Sequence, residues 1–154
     1  RDVLGSRGLG DVYKRQGQDF TPREVSMLET QLTGAREGVI HEPTAGTGGI
    51  IIQYWWELAS KQLPWRFKPH TCIFTCWELS DRSIPILLLN MAIRGMMGEV
   101  FHGDVLENVA KARYVLLNEQ NDGLAFSDIV RDDRVLSYTH ANHVHKPMQH
   151  DLFD

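Results

Sequence analysis

Apolar residues in this chain fall into short runs divided by glycine, proline and charged positions, and successive runs alternate in character. Val25, Leu28 and Leu32 recur at helical spacing behind Thr21-Pro22-Arg23-Glu24. Thr21 suits a helix cap, Pro22 the first helical position and Glu24 a capping box, and Gly34 marks the end. Residues 38–41 read as a short central strand. Between residues 49 and 61, Ile50, Ile51, Ile52, Tyr54, Trp55, Trp56 and Leu58 are apolar almost all round, as in a deeply buried helix. Pro64-Trp65-Arg66-Phe67-Lys68-Pro69 breaks the periodicity and reads as a solvated loop. Residues 71–77 form the next buried strand, ending at Glu78. A helix carrying Ile84, Leu87, Leu88, Met91 and Ile93 follows a cap at Asp81 or Ser83, with Pro85 tolerated in its first turn. Residues 100–102 make a third strand ending in Gly103-Asp104, and residues 113–117 a fourth. This order predicts an α/β fold: a central, mostly parallel sheet of about four strands flanked by helices.

Composition narrows the class. The 154 residues suit one domain with a modest core. Cys72 and Cys76 are too few for a disulfide framework or a zinc site and read as buried thiols in a cytoplasmic protein. No apolar run is long enough to cross a bilayer. Residues 6–16 resemble the in-frame translation of a sequencing adapter, so residues 1–16 read as a non-native scar, 17–130 as the domain and 131–154 as a polar tail. The formal net charge is −4; setting residues 1–16 aside removes four basic and two acidic residues and leaves −6. An acidic chain neutralises few phosphates, so a DNA substrate would need help from a partner or a missing segment.

The chemistry concentrates in Ile40-His41-Glu42-Pro43-Thr44-Ala45-Gly46-Thr47-Gly48-Gly49. Gly46 and Gly48 permit positive φ and let backbone approach a ligand, and the following helix turns its free N–H groups to the same spot. A phosphate-binding P-loop is excluded because Gly-Lys-Ser/Thr is absent. Glu42 at the strand tip would repel a phosphate and suits a ligand with an ammonium group. At the tip of the second strand Glu78 stands where nucleoside-binding folds place the acid that accepts ribose hydroxyls, although further along than the usual ~20 residues.

The paired elements Gly17-Gln18-Asp19-Phe20-Thr21-Pro22-Arg23-Glu24-Val25 and Glu42-Pro43-Thr44-Ala45-Gly46-Thr47-Gly48-Gly49 resemble the N6-adenine DNA methyltransferases, especially the modification subunits of type I restriction systems. The resemblance spans residues 17–106. It implies part of a Rossmann-like S-adenosylmethionine-dependent methyltransferase fold in a bacterial or phage modification system. Cofactor contacts carry over to Phe20, Thr21 and Pro22 at the methionine end, and to Glu42, Pro43, Gly46, Thr47, Gly48 and Glu78. Asp104 carries over to the adenine. Asn90-Met91-Ala92-Ile93-Arg94-Gly95 resembles the asparagine-containing helix that follows the second acid in that family.

The family's Asn/Asp-Pro-Pro-Tyr/Phe signature, which holds a flipped adenine with its lone pair toward the methyl group, occurs nowhere in this chain. Asn118, after the fourth strand, takes its first position and is the sole catalytic candidate, with Phe126 as a possible ring from nearby. Two readings follow. One is an adenine-N6 DNA methyltransferase, or its cofactor-binding part, serving DNA with a specificity subunit. The other is an inactive methyltransferase-like binding module or regulator. His140, His143 and His145 lack a carboxylate or thiolate at ligand spacing, so no metal is expected. The terminal Gln149-His150-Asp151-Leu152-Phe153 resembles the peptide by which bacterial proteins bind the DNA sliding clamp.

Overall fold

The computed structural model describes residues 22–132. Phe20 and Thr21, the three tail histidines and the clamp-like peptide lie outside them. Among the described residues three helices, α1 (Arg23–Thr33), α2 (Gly49–Ala59) and α3 (Ser83–Ala92), accompany five strands: β1 (Gly38–Glu42), β2 (Cys72–Glu78), β3 (Met97–Asp104), β4 (Val109–Leu117) and β5 (Asp128–Asp132). They form one sheet in the order β1-β2-β3-β4-β5.

The first half follows the expected winding. β1 pairs parallel with β2, and β2 parallel with β3, through crossovers that contain α2 and α3. Phe74, Cys76, Val100 and Leu116 come from adjacent strands and are wholly buried with Ile51, Leu58, Ile84, Leu87 and Met91 of the two helices. Tyr54 of α2 meets Phe74 edge-on at 6.4 Å. On the other face of the sheet Trp77 stacks on Phe101, with ring centroids 4.8 Å apart. Arg113 there donates to both Glu99 and Asp132, tying β3, β4 and β5 together.

The second half departs from expectation. β4 runs antiparallel to β3, and an unexpected fifth strand runs antiparallel to β4, so the sheet is mixed. The reason is length. Only Val105, Leu106, Glu107 and Asn108 separate β3 from β4, whereas a parallel crossover needs about a dozen residues or more. Asn108 takes φ 53, a left-handed turn conformation that asparagine tolerates. β3 therefore folds straight back as a hairpin.

Two local expectations also change. In α1 it is Ser26 and Thr30 that are buried, while Val25 and Leu28 are exposed. The Thr30 hydroxyl donates to the Ser26 carbonyl at 2.8 Å, so the polar face is self-satisfied. Pro22 caps α1 through its carbonyl, which accepts from the Val25 and Ser26 amides, and no side-chain cap forms. In the proline-bounded loop Phe67 is buried, edge-on to Trp55 at 6.4 Å, and anchors two short 3-10 turns.

The closest strand contact supplies a test. Gly98 has φ 147, and a Cβ there would lie 1.9 Å from the Phe74 carbonyl oxygen. Gly98→Ala is expected to lower stability by at least about 3 kcal/mol in urea titration. An unchanged midpoint would contradict the β2–β3 register.

Candidate functional site

The carboxyl ends of β1, β2 and β3 lie at one end of the sheet because those strands are parallel. After Glu42 the chain turns sharply into α2. Gly46 and Gly48 take φ 57 and 98, conformations open mainly to glycine. A Cβ on Gly48 would come within 3.0 Å of the Leu87 side chain, so the turn must also be thin for α2 to pack on α3. The loop is fastened at three points. The Ala45 N–H donates to the Trp77 carbonyl at 2.8 Å, Asn90 Nδ2 to the Thr47 carbonyl at 2.9 Å, and the Gly46 N–H to Glu78 Oε2 at 2.7 Å.

Glu78 is the hub. Its second oxygen accepts the Ser80 N–H at 2.7 Å, and the residue is 9% exposed. One carboxylate thus ties the loop after β1 to the loop after β2. Each of its oxygens retains a free lone-pair direction. Glu42 Oε1 accepts the Thr44 N–H at 3.0 Å and its hydroxyl at 3.3 Å, which turns this acid back on its own loop. Glu42 pairs in register with Cys76, two residues before Glu78, so both carboxylates point to the same face of the sheet. The amides of Thr47, Gly49, Ile50 and Ile51 make no hydrogen bond within the described residues. They are the orphan donors at the start of α2. The cleft therefore offers two carboxylates and a set of bare amides within a few residues.

Among the candidate residues, Glu42, Pro43, Gly46, Thr47, Gly48 and Glu78 are brought together. Asp104 ends β3 at the same end of the sheet, where its carboxylate accepts the Leu106 and Glu107 amides of the hairpin turn. Pro22 starts α1, which packs on α2, and no hydrogen bond links it to the loop. Asn118 is not brought to the cleft. Because β4 is antiparallel, its carboxyl end lies beside the start of β3, at the far end of the sheet. There Asn118 is 2% exposed and its amide reaches the Gly95, Asp122 and Ala125 carbonyls while accepting the Asp122 N–H. Its role is to close the 118–127 loop. Phe126 belongs to the same distant loop and is 74% exposed, so it supplies no ring to the cleft.

The resemblance singled out the Asn90 helix but not its contact, and nothing in the sequence singled out His102. Asn90 secures Thr47, a contact between positions too far apart for any spacing rule. His102 is the register partner of Glu78 and stands 2.9 Å from Asp81, although its geometry falls short of a hydrogen bond. Cys72 and Cys76 are free thiols buried under the same sheet face. Burial first, and then the charge of Glu37, pushes the Cys72 thiol up to about 12; burial and Glu42 raise Cys76 further.

A family model described as N-6 DNA Methylase matches residues 10–136. No curated protein and no solved structure matches.

The raised thiol values are directly testable. Since burial disfavours the thiolate, native protein at about pH 8.5 is expected to resist iodoacetamide, while urea-unfolded protein reacts at both cysteines. Rapid labelling of the native state would show that the helix-covered face opens.

Proposed function

The chain belongs to the N-6 DNA methylase family, and from that premise we propose that the cleft at the tips of β1, β2 and β3 binds S-adenosylmethionine for methylation of adenine N6 in DNA. The observation that carries the reading is the bond from the Gly46 amide to the Glu78 carboxylate, because it sets an acid for the ribose hydroxyls directly against a side-chain-free turn. The residues present fit the ligand. Glu42 suits its ammonium group, the bare amides at the start of α2 suit its carboxylate, and the thin backbone at Gly46 and Gly48 leaves room for close approach. Asp104 is the candidate for the adenine, and Phe20, Thr21 and Pro22 for the methionine end. When bound, S-adenosylmethionine supplies an electrophilic methyl group. The protein's part is to orient it and to exclude water, and no acid or base of this chain need act.

A second reading has one specific observation behind it. Asn118 lies at the wrong end of the sheet to hold a target base. The described residues thus favour a binding half over a complete methyltransferase, with target recognition supplied from elsewhere in a bacterial or phage modification system. A specificity subunit and the sliding clamp are the candidate partners. Among the described residues no helix is long and apolar enough to cross a membrane.

Isothermal titration of the intact chain with S-adenosylmethionine is expected to give heat from a single site, and Glu78→Gln to weaken binding about tenfold to a hundredfold. Absence of heat with folded protein would overturn the cofactor assignment. Plasmid incubated with the chain and cofactor should remain sensitive to a nuclease blocked by adenine methylation. Acquired resistance would refute the binding-half reading.

A further inference from the structure

Residues 61–70 join α2 to β2 at the amino end of the parallel strands, the end away from the cleft. They hold Lys61, Arg66, Lys68 and His70, and no acid occurs between Glu57 and Glu78. The backbone is extended at Phe67 and Lys68, and the side chains alternate. Phe67 and Pro69 are buried, whereas Arg66, Lys68 and His70 are exposed.

The loop is braced from beneath. Phe67 meets Trp55 edge-on. Gly123 of the neighbouring loop lies so close that a Cβ there would fall 2.8 Å from the Pro64 carbonyl oxygen and 2.9 Å from that of Phe67. The His70 N–H donates to Asn121 Oδ1 at 3.0 Å, and the His70 ring meets the Asn121 amide. The Lys68 carbonyl accepts the Thr71 N–H at 3.0 Å and its hydroxyl at 2.9 Å. A backbone ordered in advance loses little freedom when it binds.

What this frame presents is unpartnered. Trp65 is 62% exposed, and Lys61, Arg66 and Lys68 have no ion pair and no side-chain hydrogen bond among the described residues. Glu119 and Asp122 stand on the neighbouring loop without pairing to these cations, and the Asp122 carboxylate accepts the Leu124 amide. An acidic peptide would engage the cations and leave the indole idle. A duplex keeps its base faces stacked inside. A single strand of nucleic acid offers both phosphates for the cations and a base face for the ring.

We propose that Lys61, Trp65, Arg66 and Lys68 form a surface for single-stranded nucleic acid, with a base stacked on the Trp65 indole and phosphates held by the three cations. The seven residues of β2 carry the chain about 23 Å from this loop to Glu78, so a strand bound here is held apart from the cofactor cleft. The surface therefore stands or falls independently of the cofactor reading.

The test is fluorescence anisotropy at low salt with the full chain and labelled oligothymidylate or oligouridylate. Binding of either through Trp65 supports the proposal and tells which kind of strand the surface takes. Trp65→Ala should weaken that binding about tenfold. The same change should leave an abasic strand, a blunt duplex and polyglutamate unaffected. Arg66→Gln with Lys68→Gln should flatten the salt dependence, lowering the log–log slope by about 1.4. Trp65→Phe, which keeps a ring, should restore most of the affinity and so separates stacking from damage to the loop. No binding, a Trp65→Ala effect equally large on the abasic strand, or no rescue by Trp65→Phe would overturn the proposal.

Discussion

A single carboxylate, Glu78, holds the tip of the second strand to the glycine loop that follows the first. Two short hydrogen bonds to backbone amides fix it, and charge-assisted bonds of this kind are about twice as strong as neutral ones. The loop cannot move without breaking them. Gly48 must stay thin so that α2 meets α3, and Asn90 holds the last carbonyl before that glycine. Loop, acid and the start of α2 are thereby tied into one hydrogen-bonded unit, from which the amides of α2 that are unpaired among the described residues face out.

The parallel half of the fold was legible because its signals are local. An apolar run too short for a helix, an acid, a glycine turn and an all-round apolar helix can be placed with no knowledge of the rest. The glycine loop and Glu78 were legible for the same reason. What escaped depends on pairing direction and long-range contact. The residues after Asp104 look like another strand in either direction, and only the four-residue gap before Val109 forbids a parallel one. That signal was present but outweighed by the expectation of a parallel fourth strand, and it carried Asn118 to the wrong end of the sheet. Asn90 and His102 reach their places through register and crossover packing, which periodicity does not encode.

The antiparallel turn-back of β4 has a consequence for function. It spends the chain after β3 on a hairpin braced by Arg113, Glu99 and Asp132, on the side of the sheet away from β1. The described residues are therefore thorough about one wall of the cleft and silent about the other. A β1 edge that pairs on one side only among the described residues and a distant Asn118 are two views of that asymmetry.

The most direct test of the central claim is a crystal structure of the protein with S-adenosylhomocysteine. The account predicts a ribose hydroxyl within about 2.5–3.0 Å of the Glu78 carboxylate, an ordinary hydrogen-bond distance for oxygen donors. It also predicts that the bonds to Gly46 and Ser80 survive. A ligand lodged elsewhere, or a Glu78 side chain turned away from the sugar, would contradict it.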